Sequence, residues 1–141
     1  MITIFFENNS NHKIDPEIFD PVLQAMNNEK LSSYEEVNLL LADDETVQNL
    51  NRKFRGKNSK TDVLSFPSQI PGLPFLGDII IDTSVADKQK GNCNLEKELQ
   101  LLFLHAVLHL LGYDHISATQ KTVMNDIENQ YRKNLNIILG V

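Results

Sequence analysis

At 141 residues the chain is long enough to bury a real core, and it is expected to form one domain spanning residues 1–141. Apolar residues make up 41% and charged residues 23%, as in ordinary soluble globular proteins; no apolar stretch reaches the roughly 18 residues of a membrane span, and the start Met1–Glu7 lacks the features of a signal peptide. A net charge of -6 argues against non-specific nucleic-acid binding, and the single Cys93 cannot close an internal disulfide, which suits a reducing, cytoplasmic setting.

Residues 2–6, β-branched and aromatic, predict a first strand. Asp15-Pro16 and Asp20-Pro21 each offer an N-cap followed by proline at the first helical position. Ile18, Phe19, Val22, Leu23 and Met26 then form an apolar stripe that carries a helix to near Glu29. Val37–Leu41 predicts a second strand. Asp43 is expected to cap the next helix, with Asp44 and Glu45 in its first turn and Val47, Leu50 and Phe54 on its buried face. Gly56 ends that helix. Asp62–Phe66 predicts a third strand, stopped by Pro67, and residues 67–76 an ordered loop or sheet edge. Gly77–Ile81 predicts a fourth strand buried on both faces. Thr83 is expected to cap a short helix running to about Lys90.

From Leu95 to Leu111 the helical pattern is apolar nearly all round, which marks a central, buried helix. Ser117 and Gln120 fit a capping box opening a last helix lined by Val123, Met124, Ile127 and Tyr131. The expected fold is α+β and zincin-like, a mixed sheet of about four strands packed with that central helix.

The central helix carries the chemistry. Three of the chain's four histidines, His105, His109 and His115, fall within eleven residues. His105 and His109 are four apart and share one helix face; Gly112 can end the helix and let His115 swing back. Three imidazoles converging with no cysteine near form an open zinc site. Two ordinary core histidines are the competing reading, but each would carry unpaired nitrogens out of water at about 1–3 kcal/mol on the most apolar helix of the chain. The spacing H-x-x-x-H-x-x-G-x-x-H is shared with metzincin proteases. Their general base follows the first histidine, and here that position is Ala106. Losing such a base costs roughly 10²–10⁴ in rate, so protease chemistry is disfavoured. Asp114 either orients a ligand histidine from behind, or relays a proton from the metal-bound water, or simply shapes the turn.

A second feature is basic. Arg52 to Lys60 holds five of the thirteen basic residues and no acid, leaving eight bases against nineteen acids elsewhere. Such a strip on an acidic protein suits an anionic ligand such as the phosphates of a nucleic acid. Alternatively, Arg52, Lys53 and Arg55 complement the dipole at a helix C-terminus, an account that covers Lys57 and Lys60 less well.

Three stretches together resemble the YbeY endoribonuclease family of bacterial rRNA maturation factors. His105-Ala106-Val107-Leu108-His109-Leu110-Leu111-Gly112-Tyr113-Asp114-His115 is similar to the family's H-G-x-L-H-L-x-G-Y-D-H. Phe54-Arg55-Gly56 with Thr61–Pro67 resembles F-R-G…T-D-V-L-S-F-P, and Leu76–Ile79 resembles L-G-D-I. The resemblance implies a single-strand-specific endoribonuclease with one zinc on His105, His109 and His115, and with Arg55 lining the active-site channel. It also implies partners, namely single-stranded RNA or rRNA and the ribosome or its proteins, and work in small-subunit rRNA 3′-end processing and ribosome quality control. Ala106 stands where glycine is usual, Lys60 where proline is common, and Asp82 where serine is frequent, the last expected to alter charge near the sheet edge. The expected reaction is metal-assisted phosphodiester cleavage, with either water or the RNA 2′-hydroxyl as nucleophile. A metzincin-like protease or amidase, and an assembly factor with a structural zinc, are the competing functions.

Overall fold

Four strands, β1 (Thr3–Asn8), β2 (Glu36–Ala42), β3 (Val63–Pro67) and β4 (Phe75–Asp82), form one sheet in the order β1-β2-β4-β3. β1, β2 and β4 run parallel, and β3 is antiparallel to β4 on the edge. The helices are α1 (Asp20–Ala25), α2 (Asp44–Arg55), α3 (Thr83–Gln89), α4 (Leu95–Leu110) and α5 (Ala118–Leu139). The protein is described by a computed structural model over residues 2–56, 61–68, 70 and 72–141.

The sheet divides the core. Val37, Leu39 and Leu41 of β2 and Ile79 and Ile81 of β4 face a large cluster shared with Phe19 and Val22 and with Phe103, Leu104, Val107 and Leu108 of α4. The alternate residues Leu40 and Ile80 face a smaller cluster with Ala42, Val47, Leu50, Leu64 and Phe66, under α2. The run Gly77–Ile81 is thus buried on both faces, as its continuous apolar pattern demands. α4 buries residues on nearly every side, consistent with its low amphipathicity.

Local capping signals are realised. Asp43 accepts from Thr46 N at 2.9 Å and Gly56 ends α2 with φ 69°. Both bonds of the Ser117–Gln120 capping box are present. At the end of α4 the Gly112 amide donates to His109 O and the Tyr113 amide to Leu108 O, with Gly112 at φ 105°, which is a Schellman closure.

Several expectations are corrected. The first helix ends at Ala25 rather than near Glu29; Asp15 caps a preceding 3₁₀ turn, Pro16–Phe19, whereas Asp20 is itself the first residue of α1. Asp82, not Thr83, caps α3: its Oδ1 accepts from Ser84 N and Val85 N, while the Thr83 hydroxyl donates to Ala42 O at 3.3 Å. Asp82 also lies at the end of an inner strand with 0% exposure, not near the sheet edge. Phe54 is 60% exposed rather than buried; its ring meets that of Phe66 at 5.7 Å between centroids. Val123 is 46% exposed; the buried stripe of α5 is Met124, Glu128, Tyr131 and Leu135. Within residues 67–76, Pro67 ends the edge strand β3 and β4 already starts at Phe75 rather than at Gly77; the described residues between them, 68, 70 and 72–74, are outside the strands.

One glycine joins the sheet to the central helix. Gly77 has φ 148°, and a Cβ there would lie 2.4 Å from Phe66 O and 2.9 Å from Leu110 Cδ2. The absence of a side chain lets β3 and the end of α4 close on the same point of β4.

Candidate active site

The end of α4 and the edge strand β3 enclose an open cleft of about 850 Å³. His105, His109 and His115 line it, together with Asn51 and Arg55 from α2, Thr61, Asp62, Ser65 and Pro67 around β3, and Asp114 and Ile116 from the loop after α4. Arg55 is therefore brought to the histidines from fifty residues away in the chain. The rest of the basic segment divides. Arg52 donates to Asn49 Oδ1 at 3.1 Å, and Lys53 lies 5.3 Å from the ring centre of Phe54, so neither joins the cleft lining. Lys57 and Lys60 lie outside the described residues.

The three histidines each bring one nitrogen to a common point, all within 4.8 Å of one another, as a metal-holding group requires. Spacing of four on α4 stacks His105 over His109, with Nε2 to Nε2 at 3.0 Å. Both rings are held from behind. His109 Nδ1 lies 2.9 Å from the carbonyl of Tyr113, and His105 Nδ1 lies 2.5 Å from Oε1 of Glu128. A carbonyl can only accept, so the His109 Nδ1 carries the proton and its Nε2 presents a bare lone pair to the cleft. The carboxylate of Glu128 imposes the same tautomer on His105. Two lone pairs facing each other at this distance repel unless a cation lies between them, so the donor set fits a metal. Nitrogens held about 2.0–2.1 Å from one zinc at tetrahedral angles are roughly 3.3–3.4 Å apart, close to the separation observed.

Electrostatics agree with that donor set. Burial lowers the His109 pKa, and the neighbouring His105 and His115 lower it further, which favours the neutral ring. Burial alone would raise the Glu128 pKa. The hydrogen bond with His105 first, and nearby positive charge including Arg132, outweigh it and leave the carboxyl below its usual value.

The loop that supplies the Tyr113 carbonyl is itself tied down. The Tyr113 and Tyr131 hydroxyls both donate to the carboxylate of Glu29, linking the loop to α5 and to the chain after α1. Burial first, and the Glu29 carboxylate next, raise the pKa of both phenols. Asp114 shapes the turn, its Oδ1 accepting from the His115 amide at 2.7 Å, and it also lines the cleft. Ala106 is buried in the core and offers nothing to the cleft. The apolar spacing Val123, Met124, Ile127 and Tyr131 does not point to Glu128. The available signal was a glutamate at a core position of the stripe 124, 128, 131, 135.

Comparison with known proteins agrees with the geometry. A sequence profile of the family described as Endoribonuclease YbeY matches residues 5–136. An Endoribonuclease YbeY of Nautilia profundicola is 36% identical, over 95% of this chain and 92% of that protein. An Endoribonuclease YbeY of Francisella tularensis subsp. tularensis is 35% identical, over 96% of this chain and 87% of that one. The solution structure of TM1509 from Thermotoga maritima superposes with a TM-score of 0.62 at 22% identity, covering 95% of this chain and 89% of that one, and so shares the fold. With a profile match over nearly the whole chain and relatives above a third identical, the protein belongs to the endoribonuclease YbeY family.

Proposed function

We propose that this protein is a zinc-dependent, single-strand-specific endoribonuclease of the cytoplasm. It acts with the ribosome in maturing the 3′ end of small-subunit rRNA and in ribosome quality control, through one domain spanning residues 1–141. The observation that carries the reading is the meeting of a three-histidine donor set and Arg55 in one open cleft. His105, His109 and His115 would hold one zinc ion per chain. When bound, zinc supplies a Lewis acid for a phosphoryl oxygen and eases deprotonation of the attacking hydroxyl.

The chain's own residues do the rest. Arg55 offers planar, always-charged donors that match a phosphate in two places and stabilise the charge that grows on it during cleavage. Its exposure lets a flexible backbone enter before the guanidinium closes on it. The cleft is open and accepts an unpaired strand. His115 is exposed at its mouth, which suits a site with a free coordination position better than a closed structural zinc. The missing glutamate at Ala106 weighs against a peptide substrate.

The test is cleavage of end-labelled single-stranded RNA by the zinc-loaded protein, with a peptide substrate and duplex RNA in parallel. Cleavage of the single strand alone is expected. Cleavage of peptide, or of duplex as fast as single strand, would overturn the reading. Product ends then bear on the nucleophile: a 2′,3′-cyclic phosphate rules out direct attack by water, and a 5′-phosphate beside a 3′-hydroxyl rules out attack by the RNA's own 2′-hydroxyl.

A further inference from the structure

Glu128 sits where a charge is least expected. It is 8% exposed, on the stripe of α5 that also carries Met124, Tyr131 and Leu135, all of them facing the core. Withdrawing a carboxylate from water this far is costly unless something compensates. The direct partner is His105, with Nδ1 at 2.5 Å from Oε1, and Arg132 one turn along α5 adds positive charge nearby. The cleft lining includes His105 but not Glu128, so the carboxylate is behind the ring rather than in the reaction space.

We propose that Glu128 is a positioning residue for the metal: reaching from α5, it fixes His105 with Nε2 toward the cleft. Without it, His105 is free to turn about its side-chain bonds and to carry its proton on either nitrogen. Only one of those tautomers and one of those orientations present Nε2 as a lone pair beside that of His109. The two helical histidines would then be held by unlike devices. His109 is held by a backbone carbonyl four residues on in the same turn. His105 is held by a side chain twenty-three residues away on another helix. Docking of α5 onto α4 thereby becomes a condition for a competent metal site. A carboxylate also makes the ring more basic toward a metal than a neutral acceptor does.

The inference rests on the metal reading of the cleft, and its test separates the two. Zinc affinity is measured by chelator competition on the full chain for the wild type, His109→Ala, Glu128→Ala and Glu128→Gln. The His105 tautomer is read by long-range ¹H–¹⁵N spectra of the metal-free proteins, and folding by thermal denaturation. The expected result is one tight zinc in the wild type, lost in His109→Ala, and bound about 10–100-fold more weakly in Glu128→Ala. Glu128→Gln, which keeps an acceptor of the same size, should fall between them, and the His105 Nδ1–H tautomer should lose its dominance in Glu128→Ala. A purely structural role predicts a lower melting temperature in the metal-free protein with unchanged zinc affinity and tautomer, and that outcome overturns the proposal. Should Glu128→Ala not fold, a Gln variant that binds zinc as tightly as the wild type overturns it equally. If the wild type and His109→Ala bind zinc alike, the metal reading itself falls and the proposal with it.

Discussion

The two walls of the cleft are built to different standards. The histidine wall grows from the most buried helix of the protein, is closed by a Schellman turn, and has both helical rings fixed from behind by Glu128 and the Tyr113 carbonyl. The arginine wall is the exposed last turn of α2, where Arg55 follows an exposed Phe54 and the chain leaves at Gly56. The contrast matches what the proposed function asks each wall to hold. Metal ligands must be placed to within a few tenths of an ångström, and a ring rotated away contributes nothing. A phosphate is larger, has several equivalent oxygens, and can be gripped by a side chain that moves to meet it. Rigidity is concentrated where geometry is unforgiving.

The sharpest way to break the comparison is at the rigid wall. His109→Ala should abolish tight zinc binding and lower RNA cleavage by more than about 100-fold. The variant should remain folded, as judged by far-ultraviolet circular dichroism, because the ring is only half-buried. Loss of the fold instead would favour a structural zinc. At the exposed wall, Arg55→Glu should cost about 10²-fold in the rate of single-strand cleavage, the scale of losing one charge-stabilising group. Its exposure predicts a stability change within about 0.5 kcal/mol and an unchanged zinc affinity. Cleavage that survived Arg55→Glu would remove the phosphate role assigned to that residue.

Gly77→Ala tests what holds the walls together. The new methyl would meet Phe66 O and Leu110 Cδ2, so either β3 or the end of α4 must move. A loss of about 1–3 kcal/mol in urea denaturation is expected, with zinc affinity falling as well. An unchanged affinity would mean that the histidine wall is independent of the sheet contact.

The smallest effect concerns the base of α2. Burial, then a hydrogen bond with the Asp44 carboxyl, pushes the Asp82 pKa from 3.8 to about 6. The folded state thus holds a proton that the unfolded chain releases, and the sign is opposite to that of a salt-bridged acid. Stability should fall as pH rises from about 4 through 6, because the charged form is the one that folding disfavours. Asp82→Asn retains a capping side chain for α3. It should flatten that pH profile and gain about 1–2 kcal/mol at pH 7, read as the difference between denaturation midpoints at pH 4.5 and 7. A parallel profile in the variant would place the pH dependence elsewhere.

The fold was legible where the signal was local. Asp43, Gly56, Gly112, and Ser117 with Gln120 act through atoms within a turn of one another, so their positions could be read directly. Thr83 does not cap α3 for a related reason: Asp82 and Thr83 are both competent caps, and Asp82 takes the role because the buried Thr83 hydroxyl donates to Ala42 O across the sheet. Phe54 falls at the right helical spacing to be buried, but helical spacing cannot say where the sheet beneath α2 ends.

By itself, then, the order of residues determined that His105 and His109 share a helix face, that the helix stops at Gly112, and that His115 follows within reach, because helical geometry converts spacing along the chain into direction. Only the tertiary structure decided that Arg55 would face them across the cleft and that Glu128 would stand behind His105. Those outcomes depend on which faces α2, α4 and α5 bury against one sheet, a packing choice that no local pattern contains.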